Sequence, residues 1–170
     1  MSLTIWHRSL AKGIIVITSL VLALLIGVVA GLRTFTAPTA VSWAARSGSL
    51  ALGDGPLGFF GHPVAPWIFT VLALAELVGD QLPSTPSRTV PMQFGARLVS
   101  GALSGAAIGA GASAMLPGLL AGVIGAVIGT LGGRACRGWL AGALGSDHPA
   151  AFIEDAIAIG AAVLIVVALP

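Results

Sequence analysis

TFTAPTAVSWAARS, residues 34–47, is the stretch on which the fold turns. It is moderately apolar and interrupted by Pro38, and it falls short of the ~20 residues a helix needs to cross the hydrocarbon of a bilayer. If it crosses, every later loop changes sides. Basic residues favour cytoplasmic loops, so they arbitrate. Five spans with a cytoplasmic N-terminus put Arg8, Lys12, Arg88, Arg97, Arg134 and Arg137 inside and Arg33 and Arg46 outside, six to two. Six spans leave Arg8, Lys12 and Arg46 inside against Arg33, Arg88, Arg97, Arg134 and Arg137, three to five. The sequence therefore predicts a re-entrant or interfacial helix over 34–47, with a periplasmic C-terminus.

The rest of the chain supports a membrane reading. Of its 170 residues 56% are hydrophobic and only 8% are charged, where a soluble domain averages ~25% charged. Apolar runs at 13–32, 64–82, 96–115, 118–133 and 151–169 are the expected spans. The third and fourth are separated by the tight break Leu116-Pro117-Gly118. Arg8 and Lys12 before the first run imitate a signal peptide, but the run exceeds the ~7–15 residues of a signal core and reads as a retained helix. No polar linker divides the chain, so residues 1–170 form one all-α transmembrane domain. A net charge of +2 argues against a nucleic-acid partner.

Glycine accounts for 24 residues. Gly101, Gly105 and Gly109 repeat every four residues, as do Gly125, Gly129 and Gly133, so each set is a bare strip on one helix face. Such strips let helix backbones approach closely, either within the chain or between two copies of it. Gly53-Asp54-Gly55-Pro56-Leu57-Gly58 matches the dinucleotide fingerprint in letters only, since no strand or βαβ context surrounds it. His7, His62 and His148 lack metal-ligand spacing, Cys136 has no intrachain partner, and no nucleophile elbow is present. No motif asks for a cofactor, and an enzyme is the weaker expectation.

The polar exception is ELVGDQLPSTPSRT, residues 76–89. Glu76 and Asp80 are four residues apart and share a helix face. Glu154 and Asp155 lie a turn into the last span. Ionisable residues within spans face a partner or a cavity, because lipid does not solvate them. The candidate site is therefore Glu76, Asp80, Arg88, Glu154 and Asp155, with Arg33, Ser84, Thr85, Ser87, Thr89 and Arg97 as secondary polar candidates. Arg134 and Arg137 approach from the next loop. In one reading arginines neutralise the carboxylates and staple helices together. In the other the carboxylates hold a cation or relay protons while Arg88 and its hydroxyl neighbours receive an anion. Gly31-Leu32-Arg33 and Gly95-Ala96-Arg97 hint at duplication, although the triplets sit at opposite ends of their helices.

GLRTFTAPTAVSWAA (31–45), ELVGDQLPSTPSRT (76–89), ARLVSGALSGAAIG (96–109) and IEDAIAI (153–159) together resemble the bacterial membrane family catalogued as domain of unknown function 4126. The resemblance covers most of the chain. It implies a small multi-span protein of the inner membrane and supplies no activity. The leading functional expectation is a transporter or channel-like protein for an ion or small solute, with its polar site toward the cytoplasm. The alternatives are a lipid-processing enzyme or lipid-phosphate binder that grips a headgroup with Arg88 and its hydroxyl neighbours, and a structural protein that forms homo-oligomers through the glycine strips. The partners expected are the bilayer, a cation or small solute, and a second copy of the chain.

Overall fold

The structure, a computed structural model, describes residues 3–80 and 90–170. The described residues form six α-helices and no strand: α1 Leu3–Leu32, α2 Thr36–Ser47, α3 Ala65–Gly79, α4 Pro91–Gly111, α5 Met115–Leu144 and α6 Asp147–Val167, with a 3-10 turn at Gly58–Gly61 before α3. Three of them are long and apolar enough to cross a membrane: Arg8–Leu32 of α1, α5 and α6.

Prolines set the helix starts. Pro38, Pro66, Pro91, Pro117 and Pro149 each fall within the first three residues of α2 to α6. There the missing N–H is one the helix would leave unbonded anyway, and the ring's fixed φ suits a first turn. Pro117 therefore opens α5 instead of separating two spans. The reversal comes earlier, at Ala112–Ala114, where Ser113 takes a φ of 57°. α5 also continues to Leu144, so Arg134 and Arg137 are helical residues and not loop charges. Gly48 and Gly145 close α2 and α5 with φ of 84° and 67°, a left-handed cap that favours glycine.

α1, α4 and α5 pack through backbone. A Cβ on Gly105 would lie 2.5 Å from the Gly118 carbonyl, and one on Gly109 would lie 2.5 Å from that of Ala114. A Cβ on Gly31 of α1 would meet the Thr130 amide at 2.6 Å. The two glycine strips do not meet each other. The α4 strip of Gly101, Gly105 and Gly109 lies on Gly118, Gly122 and Ala126, while Gly125 and Gly129 lie against Leu24 and Val28 of α1; Gly133 is buried further along α5. These pairings make α1 parallel to α5 and α4 antiparallel to both. α4 is covered by α1, α5 and α2, which is why it tolerates Arg97, Ser100 and Ser104 on its buried face.

The remaining helices form a looser limb. α2 lies on α4 and α6, and α3 packs on α2 and the 3-10 turn. Trp43 and Trp67 meet edge to face with centroids 5.1 Å apart at one end of that pair. At its other end Glu76 meets Thr34 and Phe35. α2 and α3 are therefore antiparallel. At ~18 Å and ~22 Å, both are shorter than the ~30 Å of bilayer hydrocarbon.

This path differs from the one the sequence suggests around residues 34–47. A re-entrant segment there, followed by a single crossing of 64–82, places Arg33 and Asp80 at opposite ends of the bundle. The structure pairs them. α2 does not double back on its own; it leads away from Arg33, and α3 returns. With α2 leading away from the Arg33 level and α3 returning to it, the start of α1 and the end of α6 point to the same end of the bundle. The charge count treats Arg33 and Arg97 as loop charges, whereas both are buried, Arg33 among carboxylates and Arg97 against the Gly31 and Leu32 carbonyls beside Glu76.

Candidate functional site

Breaking a helix exposes backbone groups that hydrocarbon cannot satisfy, at roughly 2–7 kcal/mol each. α1 ends at Leu32 and α2 starts at Thr36, and side chains from three other helices complete the break. Arg97 of α4 donates from Nη1 to the carbonyls of Gly31 and Leu32, 2.7 Å each. Thr130 of α5 donates to Gly31 O at 3.2 Å, and Ser100 of α4 to Thr34 O at 2.5 Å. Glu76 of α3 accepts the Thr34 and Phe35 amides at 2.7 and 2.9 Å. A carboxylate thus sits at the N-terminus of α2, where the helix dipole favours it. Arg97 Nη2 lies 3.7 Å from the same carboxylate.

The residue within the break, Arg33, is fully buried. Its guanidinium pairs with Asp80 at the end of α3 and with Asp155 of α6, the latter also through Nε at 2.5 Å. Glu154 Oε2 lies 4.0 Å away and reaches Arg137 Nη1 of α5 at 3.5 Å. Arg137 in turn holds Asp147 with two bonds of 2.9 and 2.6 Å, closing the α5–α6 turn. One layer therefore gathers Glu76, Asp80, Asp147, Glu154 and Asp155, five of the chain's six acidic residues. It ties α1, α3, α4, α5 and α6 together at one level.

Of the candidate residues, the structure brings Glu76, Asp80, Glu154 and Asp155 to this layer and puts Arg33 and Arg97 at its centre. Arg88, Ser84, Thr85, Ser87 and Thr89 lie outside the described residues. Ser100 and Thr130 escaped notice because a single hydroxyl in a Gly/Ala-rich helix carries no pattern. The opposite-end placement of the two Gly-x-Arg triplets has a simple consequence: α1 and α4 are antiparallel, so opposite ends share one level.

Three cavities lie between the helices, two of them with residues of the layer on their walls. A cleft of about 420 Å³ between α3 and α4 is lined by Phe35, Leu72, Glu76, Asp80, Met92 and Gln93 among others. A second cavity of about 420 Å³, between α2, α3 and α6, is apolar. A third of about 270 Å³, between α1, α5 and α6, has Arg137 and Glu154 on its wall. Among the described residues no three of His, Cys, Asp and Glu come together as metal ligands. The carboxylates surround a guanidinium, which leaves no common centre for a divalent ion.

An all-helical bundle with membrane-length apolar helices and a buried ion-pair layer at a helix break is the class these features define. Compared with known proteins, the chain matches no family model, no curated protein and no solved structure.

Proposed function

We propose that this is a small inner-membrane protein that conducts or carries a monovalent cation, a proton or a small ammonium-type solute, through the cleft between α3 and α4. One observation carries the reading. The described ionisable residues on the cleft wall are Glu76 and Asp80, both acidic, beside an aromatic ring, Phe35, and an amide, Gln93. That lining attracts cations and repels anions. The discontinuous α1–α2 helix at the same level is the kind of element that membrane transport sites use. Membership of the domain-of-unknown-function family named above belongs to this proposal, as does the membrane type.

The lipid-phosphate alternative rests on residues 84–89, which lie outside the described residues. The structural alternative, a homo-oligomer formed through the glycine strips, would need faces other than those of Gly101, Gly105, Gly109, Gly125 and Gly129, which lie against neighbouring helices of the same chain.

Flux measured in proteoliposomes tests the proposal. Wild-type vesicles should dissipate a proton or methylammonium gradient faster than empty ones. Asp80→Asn should abolish the difference while the protein stays folded, since Arg33 keeps Asp155 and Glu154. Equal rates in wild-type and empty vesicles, or in wild type and Asp80→Asn, overturn it.

A further inference from the structure

We infer, resting on the cation reading of the cleft between α3 and α4, that the protein exchanges its cation for a proton and that Arg33 couples the two by shifting between Asp80 and Asp155. Arg33 is fully buried, and both carboxylates share its guanidinium. Among the described residues neither acid has a second ion-pair partner. Two carboxylates against one guanidinium leave one negative charge over. In the interior of a membrane bundle that excess is costly unless a bound cation or a proton neutralises it.

The two acids differ in what they reach. Asp80 lines the cleft and Asp155 does not. Glu154, next to Asp155 in the chain, lines the separate cavity between α1, α5 and α6. The cation therefore neutralises the excess at Asp80, and the proton neutralises it at Asp155. With a cation at Asp80, the guanidinium serves Asp155, whose O–H bond breaks. The proton passes to Glu154 and leaves through its cavity. With Asp155 protonated, the guanidinium belongs to Asp80 alone, and the cleft loses the charge that held the cation. Linkage makes the effect reciprocal. The other groups around Asp155 do not remove the excess. Arg137 of α5 is taken by Asp147 and Glu154. α2, also packed on α6, carries its one charge, Arg46, in the last turn, away from the layer.

Methylammonium binding to the full chain in detergent, measured by calorimetry across pH, reads the coupling without flux. Wild-type affinity should fall about tenfold per pH unit as the pH drops through the titration of Asp155, because one proton leaves for each cation bound. Asp155→Asn fixes the charge state of the protonated acid. Binding should then weaken about tenfold or more and lose its pH dependence, although Asp155 is not on the cleft wall. Asp155→Ser makes the same charge change in less space and keeps the test readable if Asp155→Asn does not fold. Asp155→Glu should restore both the affinity and its slope with pH. Binding that keeps its slope in either neutral variant would mean that the proton competes at Asp80 itself. That result, or a wild-type affinity independent of pH, overturns the exchange through Arg33 and leaves the cation reading standing. A wild type that binds no methylammonium at any pH overturns both.

Discussion

The two halves of the molecule are held by different physics. α1, α4 and α5 meet through glycine backbones, with neighbours so close that an added Cβ would collide with main-chain atoms. α2 and α3 meet the rest through a hydrophobic seam on one side and through carboxylate contacts at one end. Backbone packing is rigid because every atom has a partner and nothing flexible can yield. Ion pairs are replaceable contacts whose strength depends on charge state and solvation. The contrast separates a fixed scaffold from a limb that charge chemistry holds in place, and the proposed cation path runs along the limb.

The sharpest way to break this comparison is to ask where the chain ends lie. Reporters fused at each end should face the same side of the membrane, because α1 and α6 point their outer ends the same way. Opposite sides would restore five spans and separate Arg33 from Asp80. Next in size, Arg33→Gln leaves Asp80 and Asp155 buried without their cation and should cost ~3–5 kcal/mol in detergent unfolding. The triple variant Arg33→Gln, Asp80→Asn, Asp155→Asn should regain much of that loss. Full stability in the single variant would show that the layer is solvated.

On the scaffold side, Gly122→Leu drives a branched side chain into the backbones of Gly101 and Gly105 and should cost ~1–3 kcal/mol. Gly160→Leu, where nothing lies within 4 Å of an added Cβ, should be near neutral. Similar melting temperatures for the two would place both glycines against lipid. Comparable in size, Glu76→Gln weakens the capping of Thr34 and Phe35 and should loosen the break by ~1.5–3 kcal/mol, the strength of a charged hydrogen bond. Faster amide exchange should appear at those two residues and at the start of α2. Thr70→Ala, which loses the bond from Trp43, should cost only ~0.5–1.5 kcal/mol and leave the scaffold's exchange unchanged.

Much of this was legible in the residues. An apolar, glycine-rich chain with proline punctuation dictates membrane-length helices and their approximate extents, because hydropathy and the missing proline N–H act locally. The spacing of Gly101, Gly105 and Gly109 dictates a close helix contact, but not its partner. That Glu76, Asp80, Glu154 and Asp155 converge was expected from the cost of isolated charge in lipid; their anchor was not. Arg33 sits beside a short, proline-interrupted stretch and looked like a loop residue. Only the tertiary structure decided that residues 36–47 lead away from it and that α3 returns, because that step depends on groups distant in sequence. Arg97, Ser100 and Thr130 bond the backbone carbonyls exposed at the break, Glu76 bonds the amides, and Asp80 and Asp155 neutralise the guanidinium. Local sequence sets where a helix can stop, and long-range hydrogen bonding sets where the chain goes next.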